Sequence, residues 1–162
     1  MRRKERKWEG LVALVEYAGQ DAPLFSGQDQ DGAPWRLADH IGKQIVFLFF
    51  YPTDTEADCV AEACSLRDAY ADLREKGLNV IGVSEDKAEA QKKFQDKYKL
   101  PFPLVADTDG AVAKAFGVPA MGGFAKRQSF IVKDGKIVWR DLNASTKKQA
   151  DDVRAALAGL PK

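Results

Sequence analysis

The spacing of apolar residues changes along this chain, and each change marks an element. Ile45-Val46-Phe47-Leu48-Phe49-Phe50-Tyr51 is an unbroken β-branched and aromatic run, which predicts a central strand buried on both faces. Pro52 ends it. Val60, Ala63, Leu66, Tyr70 and Leu73 then recur at three- and four-residue spacing, the apolar face of a helix. Thr55 followed by Asp58 resembles a helix-start box, and Gly77 stops the helix. Residues 78–83 read as the next strand. Ser84 is placed to cap a helix over roughly residues 86–98, with Phe94 and Tyr98 turned inward, and Pro101 and Pro103 break it. Leu104-Val105 makes a short strand. Asp109 is placed to cap a short helix over 111–116, closed by Gly117, and residues 118–126 form a loop. Residues 128–132 and 136–140 flank Asp134-Gly135, the strongest hairpin signal in the chain. Ser145 is the predicted cap of a last helix that buries Val153, Ala156, Leu157 and Leu160. Ahead of all this, turn chemistry at 28–32 lets 34–37 return as a second short strand. The order is hairpin, β, α, β, α, short β, α, hairpin, α. It predicts an α/β fold, a central mixed sheet with helices on both faces.

Composition adds limits. With 162 residues, 45% hydrophobic and 30% charged, the chain suits one globular domain. Its net charge of +1 is uneven: residues 1–7 carry five of the 25 basic and one of the 24 acidic residues, leaving 20 basic and 23 acidic, a net −3. Residues 1–18 are therefore read as a basic extension and 19–162 as the domain. The main body lacks the clustered positive charge of a nucleic-acid surface. The apolar run 45–51 is too short to span a bilayer, and the segment 11–15, flanked by Glu9 and Glu16, does not make a secretory signal. A cytoplasmic protein that binds neither nucleic acid nor membrane is expected.

Two cysteines, Cys59 and Cys64, are the only thiols. Close spacing without further cysteines points to redox or metal chemistry rather than a stapled secreted scaffold. Cys59 falls in the first turn of the predicted helix, where the backbone N–H groups and the dipole favour a thiolate. Five residues on a helix span about 7.5 Å and turn about 140°, whereas a disulfide wants Cα atoms roughly 4.4–6.8 Å apart. The pair can bond only if the first turns unwind. That defines a two-state element with Cys59 as nucleophile and Cys64 as resolver. Both residues could instead be small buried core groups. A metal site is the weaker reading. Two thiolates five apart converge poorly, the only histidine, His40, is distant, and Glu56, Asp58 and Glu62 near a helix start usually complement the dipole. No metal or cofactor is expected.

Taken together, several segments resemble the peroxiredoxins of the Q type, also called bacterioferritin comigratory proteins. They are Ala22-Pro23-Leu24-Phe25, Phe49-Phe50-Tyr51-Pro52, Glu62-Ala63-Cys64-Ser65-Leu66-Arg67-Asp68, Leu100-Pro101-Phe102-Pro103-Leu104, residues 109–118, and Arg127-Gln128-Ser129-Phe130-Ile131-Val132. The resemblance runs from about Gly19 to the end and implies a thioredoxin-like α/β fold. It implies peroxide reduction, with Cys59 as peroxidatic thiolate and Cys64 as the resolving cysteine of an intramolecular disulfide. Arg127 would stabilise the thiolate and orient peroxide, and Pro52 would shield the thiolate. A thioredoxin-like reductant would restore the thiols, in a monomer or weak homodimer.

The signature of that family is proline, three residues, Thr or Ser, two residues, cysteine. Here Pro52 and Cys59 keep the spacing, but Glu56 stands at the hydroxyl position, and Asp58 where a glycine is usual. Both acids are expected to raise the Cys59 pKa and slow the thiol. Thr55 is one residue early for its hydroxyl to substitute. Three readings stay open: a peroxidase with an atypical pocket, a dithiol–disulfide redox protein or sensor with weak or no peroxidase activity, and a binding module. Cys59, Cys64 and Arg127 favour the first two.

Overall fold

The computed structural model describes residues 20–160; the basic extension and the last two residues lie outside the described part. The short strands β1 (Gln20–Asp21), β2 (Ser26–Asp29) and β3 (Pro34–Arg36) lead into β4 (Ile45–Phe50), α1 (Ala57–Glu75), β5 (Leu78–Ser84) and α2 (Ala88–Tyr98). β6 (Leu104–Ala106), α3 (Ala111–Ala115), β7 (Ala120–Met121), β8 (Phe124–Ala125), β9 (Gln128–Lys133), β10 (Lys136–Asp141) and α4 (Gln149–Ala158) complete the order. Eight strands form one sheet in the order β1-β10-β9-β4-β5-β6-β2-β3. β4 pairs parallel with β5 and antiparallel with β9, so the mixed character is set at the centre. Both predicted hairpins form, β2–β3 and β9–β10.

β4 is buried on both faces because its alternating residues feed two cores. Phe47, Phe49 and Tyr51 pack with Ala63, Leu66 and Leu73 of α1, Phe94 of α2 and Val153 of α4. Val46, Leu48 and Phe50 pack on the other side with Val112 and Phe116 around α3, and with Phe25, Trp35 and Leu37. The α/β architecture with helices on both faces is as the sequence predicts. Gly82 sits between these layers for a steric reason: a Cβ there would stand 2.8 Å from the Phe49 ring and 2.7 Å from Leu104.

The predicted helix starts are where the structure departs from expectation. No Thr55–Asp58 box forms; Glu56 is the N-cap of α1, in extended backbone and without a side-chain cap. The loop before it is held from a distance, Thr53 Oγ1 and the Asp54 N–H both donating to Asp86. Ser84 does not cap α2 either. Its hydroxyl donates to Asp86 and accepts from Gln91, and α2 starts later, at Ala88. Asp109 accepts the Ala111 N–H, but the buried Asp107 takes two amides, Val112 and Ala113, at 2.9 Å each. Ser145 donates to the Asp152 carboxylate instead of capping α4, whose N-cap is Lys148. For Ser84 and Ser145 a carboxylate takes the hydroxyl that was expected to cap the helix. The predicted loop 118–126 contains the small β7–β8 ribbon. On α1, Val60 and Tyr70 are only half-buried, and Cys59, Glu62 and Ala69 take buried positions.

Candidate active site

β4 delivers its chain to the site through a pinned corner. The Tyr51 hydroxyl, buried in the core, donates to Asp54 at 2.8 Å. The Asp54 N–H and Thr53 hydroxyl reach Asp86, at 2.9 and 3.0 Å, beyond the end of the neighbouring strand β5. Pro52, half-buried, ends the β4 backbone ladder inside this corner. The corner fixes where α1 begins, and Cys59 is the third residue of that helix, 1% exposed.

Arg127, immediately before β9, reaches across to the same helix start. Its Nη1 donates to Glu62 Oε1 at 2.7 Å and its Nη2 to Glu56 Oε1 at 2.8 Å, and Nη2 lies 3.4 Å from Cys59 Sγ. The Cys59 thiol donates to that same Glu56 Oε1 at 3.1 Å. Arg127 is thus no solvated strand-end charge; its side chain is 13% exposed. The register of β9 against β4, in which Gln128 faces Phe50, places the preceding residue over the β4–α1 corner. The Arg127 carbonyl is itself tied to the Ala144 N–H.

The electrostatics follow from burial first. Burial pushes the Cys59 thiol up to about 12, helped by the hydrogen bond to Glu56; the Thr53 backbone N–H and Arg127 pull the other way. Burial also pushes the Glu62 carboxyl up, opposed by Arg127 and reinforced by Asp141. Burial works against the Arg127 charge, but Glu62 and Cys59 outweigh it and the guanidinium is raised above its ordinary value. The expectation that Glu56 raises Cys59 is met in direction, with desolvation the larger cause. Asp58 is exposed and is not among the groups acting on Cys59. Thr55 is exposed as well, and its hydroxyl does not replace the missing one.

Cys64 lies on the same unbroken helix, partly exposed, and both thiols are free. Among the described residues no three His, Cys, Asp or Glu side chains group as metal ligands do. His40 is engaged elsewhere, stacked on Trp35. Sequence reasoning gave Glu62 only as a dipole-complementing acid or a weak metal ligand, and missed its ion pair. The signal was its place three residues after Cys59, which puts both on one helix face. The hold of Asp86 on the corner carried no local signal, because Thr53 and Asp54 lie 33 and 32 residues away from it.

The model of the AhpC/TSA family matches residues 18–140. The chain belongs to the AhpC/TSA family. Within it, the chain is 38% identical over 132 residues to a chloroplastic peroxiredoxin Q of Arabidopsis thaliana, covering 80% of this chain and 61% of that protein. It is 39% identical over 122 residues to the chloroplastic peroxiredoxin Q of Oryza sativa subsp. japonica, covering 74% and 56%. The chain therefore spans less than two thirds of the length of these curated relatives. Among solved structures, the peroxidoxin BcpB of Mycobacterium tuberculosis superposes with a TM-score of 0.83 at 31% identity, over 90% of this chain and 99% of that one. A Xanthomonas campestris bacterioferritin comigratory protein, studied for alkyl peroxide reduction, superposes with a TM-score of 0.77 at 26% identity, over 83% and 90%. The expected resemblance to peroxiredoxins Q and the thioredoxin-like peroxiredoxin fold are both found.

Proposed function

We propose that the protein is a thiol peroxidase that reduces hydrogen peroxide and organic hydroperoxides. The observation that carries this reading is Cys59, at the first turn of α1, with the Arg127 guanidinium 3.4 Å from its sulfur. The likeness to peroxiredoxins Q supports it. Cys59 is the peroxidatic residue: its sulfur attacks one peroxide oxygen, the O–O bond breaks, and Cys59 becomes a sulfenic acid. Arg127 offers positive charge to the sulfur and to the polarised peroxide. Pro52 walls the site on the strand side and limits water. Cys64 then attacks the sulfenic sulfur, a disulfide forms and water leaves. Because α1 is whole in the reduced protein, this step requires residues 57–64 to leave the helix. A dithiol of the thioredoxin type restores both thiols by exchange.

The reading places the chain in a reducing compartment, the cytoplasm, where thiols persist. Among the described residues no helix is long and apolar enough to cross a membrane. Among the described residues Leu24 and Phe124 are the large apolar side chains left exposed, and the reading takes the protein as a monomer or weak homodimer. The test is stopped-flow mixing of reduced protein with hydrogen peroxide, followed by tryptophan fluorescence and thiol titration. Both thiols should be lost quickly in wild type, and neither quickly in Cys59→Ser. Loss at the rate of free cysteine refutes a peroxidase and leaves a dithiol redox sensor.

A further inference from the structure

Peroxide attack needs electron density on sulfur, yet the Cys59 thiol is buried and its pKa is pushed up to about 12. Burial and the Glu56 hydrogen bond both hold the proton on the sulfur. The geometry offers the proton another route. The Cys59 S–H already points at Glu56 Oε1, 3.1 Å away, and Arg127 Nη2 donates to that oxygen at 2.8 Å while lying 3.4 Å from the sulfur. One guanidinium nitrogen thus sits against both the carboxylate and the thiol. Glu56 is the N-cap of α1, its side chain 46% exposed on the mouth of the site. Glu62 cannot take this part. It is wholly buried, and its hydrogen bond runs to the other guanidinium nitrogen, Nη1.

We infer that Glu56 is a catalytic residue of this site, a proton carrier that takes the thiol proton of Cys59 during attack and returns it to the departing oxygen. This rests on the peroxidase reading. The S–H proton passes to Glu56 Oε1 as a sulfur lone pair attacks the terminal oxygen of a hydroperoxide. The S–O bond forms and the O–O bond breaks. The attacked oxygen keeps its own hydrogen, giving Cys59 sulfenic acid. The leaving alkoxide, or hydroxide when the substrate is hydrogen peroxide, takes the proton from Glu56 and departs as alcohol or water. Sulfur loses two electrons, the peroxide gains them, and the Glu56 carboxylate is regenerated. Arg127 stabilises negative charge as it moves from carboxylate to sulfur and on to the departing oxygen. An acid at the hydroxyl position, which looks like damage to a thiolate site, is thereby a different way of activating a thiol.

The signature is a pH profile. A thiol whose proton is taken by the adjacent carboxylate during attack gains no rate as pH rises. A thiol that must first ionise reacts about tenfold faster per pH unit. The other titratable and charged groups around Cys59 are Glu62 and Arg127, Asp141 behind Glu62, the Tyr51–Asp54–Asp86 corner, and the exposed Asp58. All are shared between wild type and a Glu56 variant, so the comparison isolates Glu56.

The experiment measures the second-order rate constant of Cys59 oxidation by hydrogen peroxide from pH 6 to 9, in wild type, Glu56→Gln, Glu56→Asp and Asp58→Asn, all in the Cys64→Ser background. Wild type and D58N should show flat profiles. E56Q should fall about 100-fold or more at pH 7 and rise tenfold per pH unit. E56D should keep the flat profile at a reduced rate. In Glu56→Ala, added formate should restore rate in proportion to its concentration, a readout that a folding defect cannot produce. A wild-type profile that rises tenfold per pH unit, or an E56Q rate within threefold of wild type at pH 7, overturns the assignment of Glu56 and leaves the peroxidase intact. A wild-type Cys59 no faster than free cysteine overturns both.

Discussion

Disulfide formation should cost this protein a measured length of helix. α1 runs without interruption from Ala57 to Glu75, and Cys59 and Cys64 are both inside it. On a helix the two Cα atoms are separated by about 7.5 Å along the axis and face about 140° apart. A bonded pair needs roughly 4.4–6.8 Å and converging Cβ atoms. The shortest solution frees everything from the helix start through Cys64, that is residues 57–64. The next residue is where unwinding meets resistance: the Ser65 hydroxyl donates to the Lys147 carbonyl at 3.1 Å and accepts the Ala150 N–H at 3.4 Å, tying α1 to the start of α4. Leu66, fully buried, follows it. Freeing 57–64 exposes Cys59 and Ala63 and parts Glu62 from Arg127, an opening that costs on the order of 3–5 kcal/mol. Reduced protein therefore keeps the helix, and the sulfenic acid and the bond it forms draw out the open state. The assay is far-ultraviolet circular dichroism of the reduced protein before and after one equivalent of peroxide, with mass spectrometry counting the two hydrogens lost. Oxidised wild type should lose the signal of about eight helical residues. Oxidised Cys64→Ser, stopped at the sulfenic acid, should lose almost none. A disulfide that forms with the helical signal unchanged would refute the reasoning.

Two further predictions concern the scaffold. Asp54 is pushed up to about 7, by burial first and by Asp86, against the Tyr51 hydrogen bond that lowers it. A carboxyl raised in the folded state favours folding fully below its unfolded pKa, and that stability is lost as pH rises through the folded value. Asp54→Asn should therefore match wild type below the unfolded value of 3.8, exceed it increasingly as pH rises to about 7 and keep that advantage above it, read as urea midpoints; a gap that does not change with pH contradicts this. Gly82→Ala inserts a methyl 2.7 Å from Leu104 and 2.8 Å from the Phe49 ring. It should destabilise by about 1–3 kcal/mol in urea unfolding, and an unchanged midpoint would show that the Phe49 layer yields freely.

The sequence carried the strands and the thiols, and the reason is physical. The run 45–51 has one stable use, a strand feeding cores on both faces, and Asp134-Gly135 has one common backbone solution, with Asp134 at φ 52° and Gly135 at φ 78°. Those signals are local and strong. Helix starts were less legible because a short polar side chain has many possible partners. Ser84 and Ser145 carry the right chemistry for caps, but Asp86 and Asp152 offer their hydroxyls a charged acceptor, which is worth more than a neutral amide contact. The asymmetry extends to the candidate site. Cys59 could be named from its place in the first turn of a helix, whereas the pairing of Arg127 with Glu56 and Glu62 depends on the β4–β9 register, 71 and 65 residues away in the chain.

That register also settles how the acids at the helix start are to be understood. Taken one by one, each carboxylate beside a thiol opposes its ionisation, and Asp58 and Glu56 look equivalent. The structure separates them. Asp58 faces solvent, Glu62 is sealed beneath the guanidinium, and Glu56 alone shares an oxygen between Arg127 and the Cys59 thiol. Arg127 does lower the Cys59 pKa, but burial and the hydrogen bond to Glu56 outweigh it. Under the proposed role of Glu56, the proton moves along the hydrogen bond already present rather than to water beforehand. The pH profile of Glu56→Gln therefore decides more than the role of one residue: it decides whether this site activates its thiol by stabilising an anion or by delivering a proton.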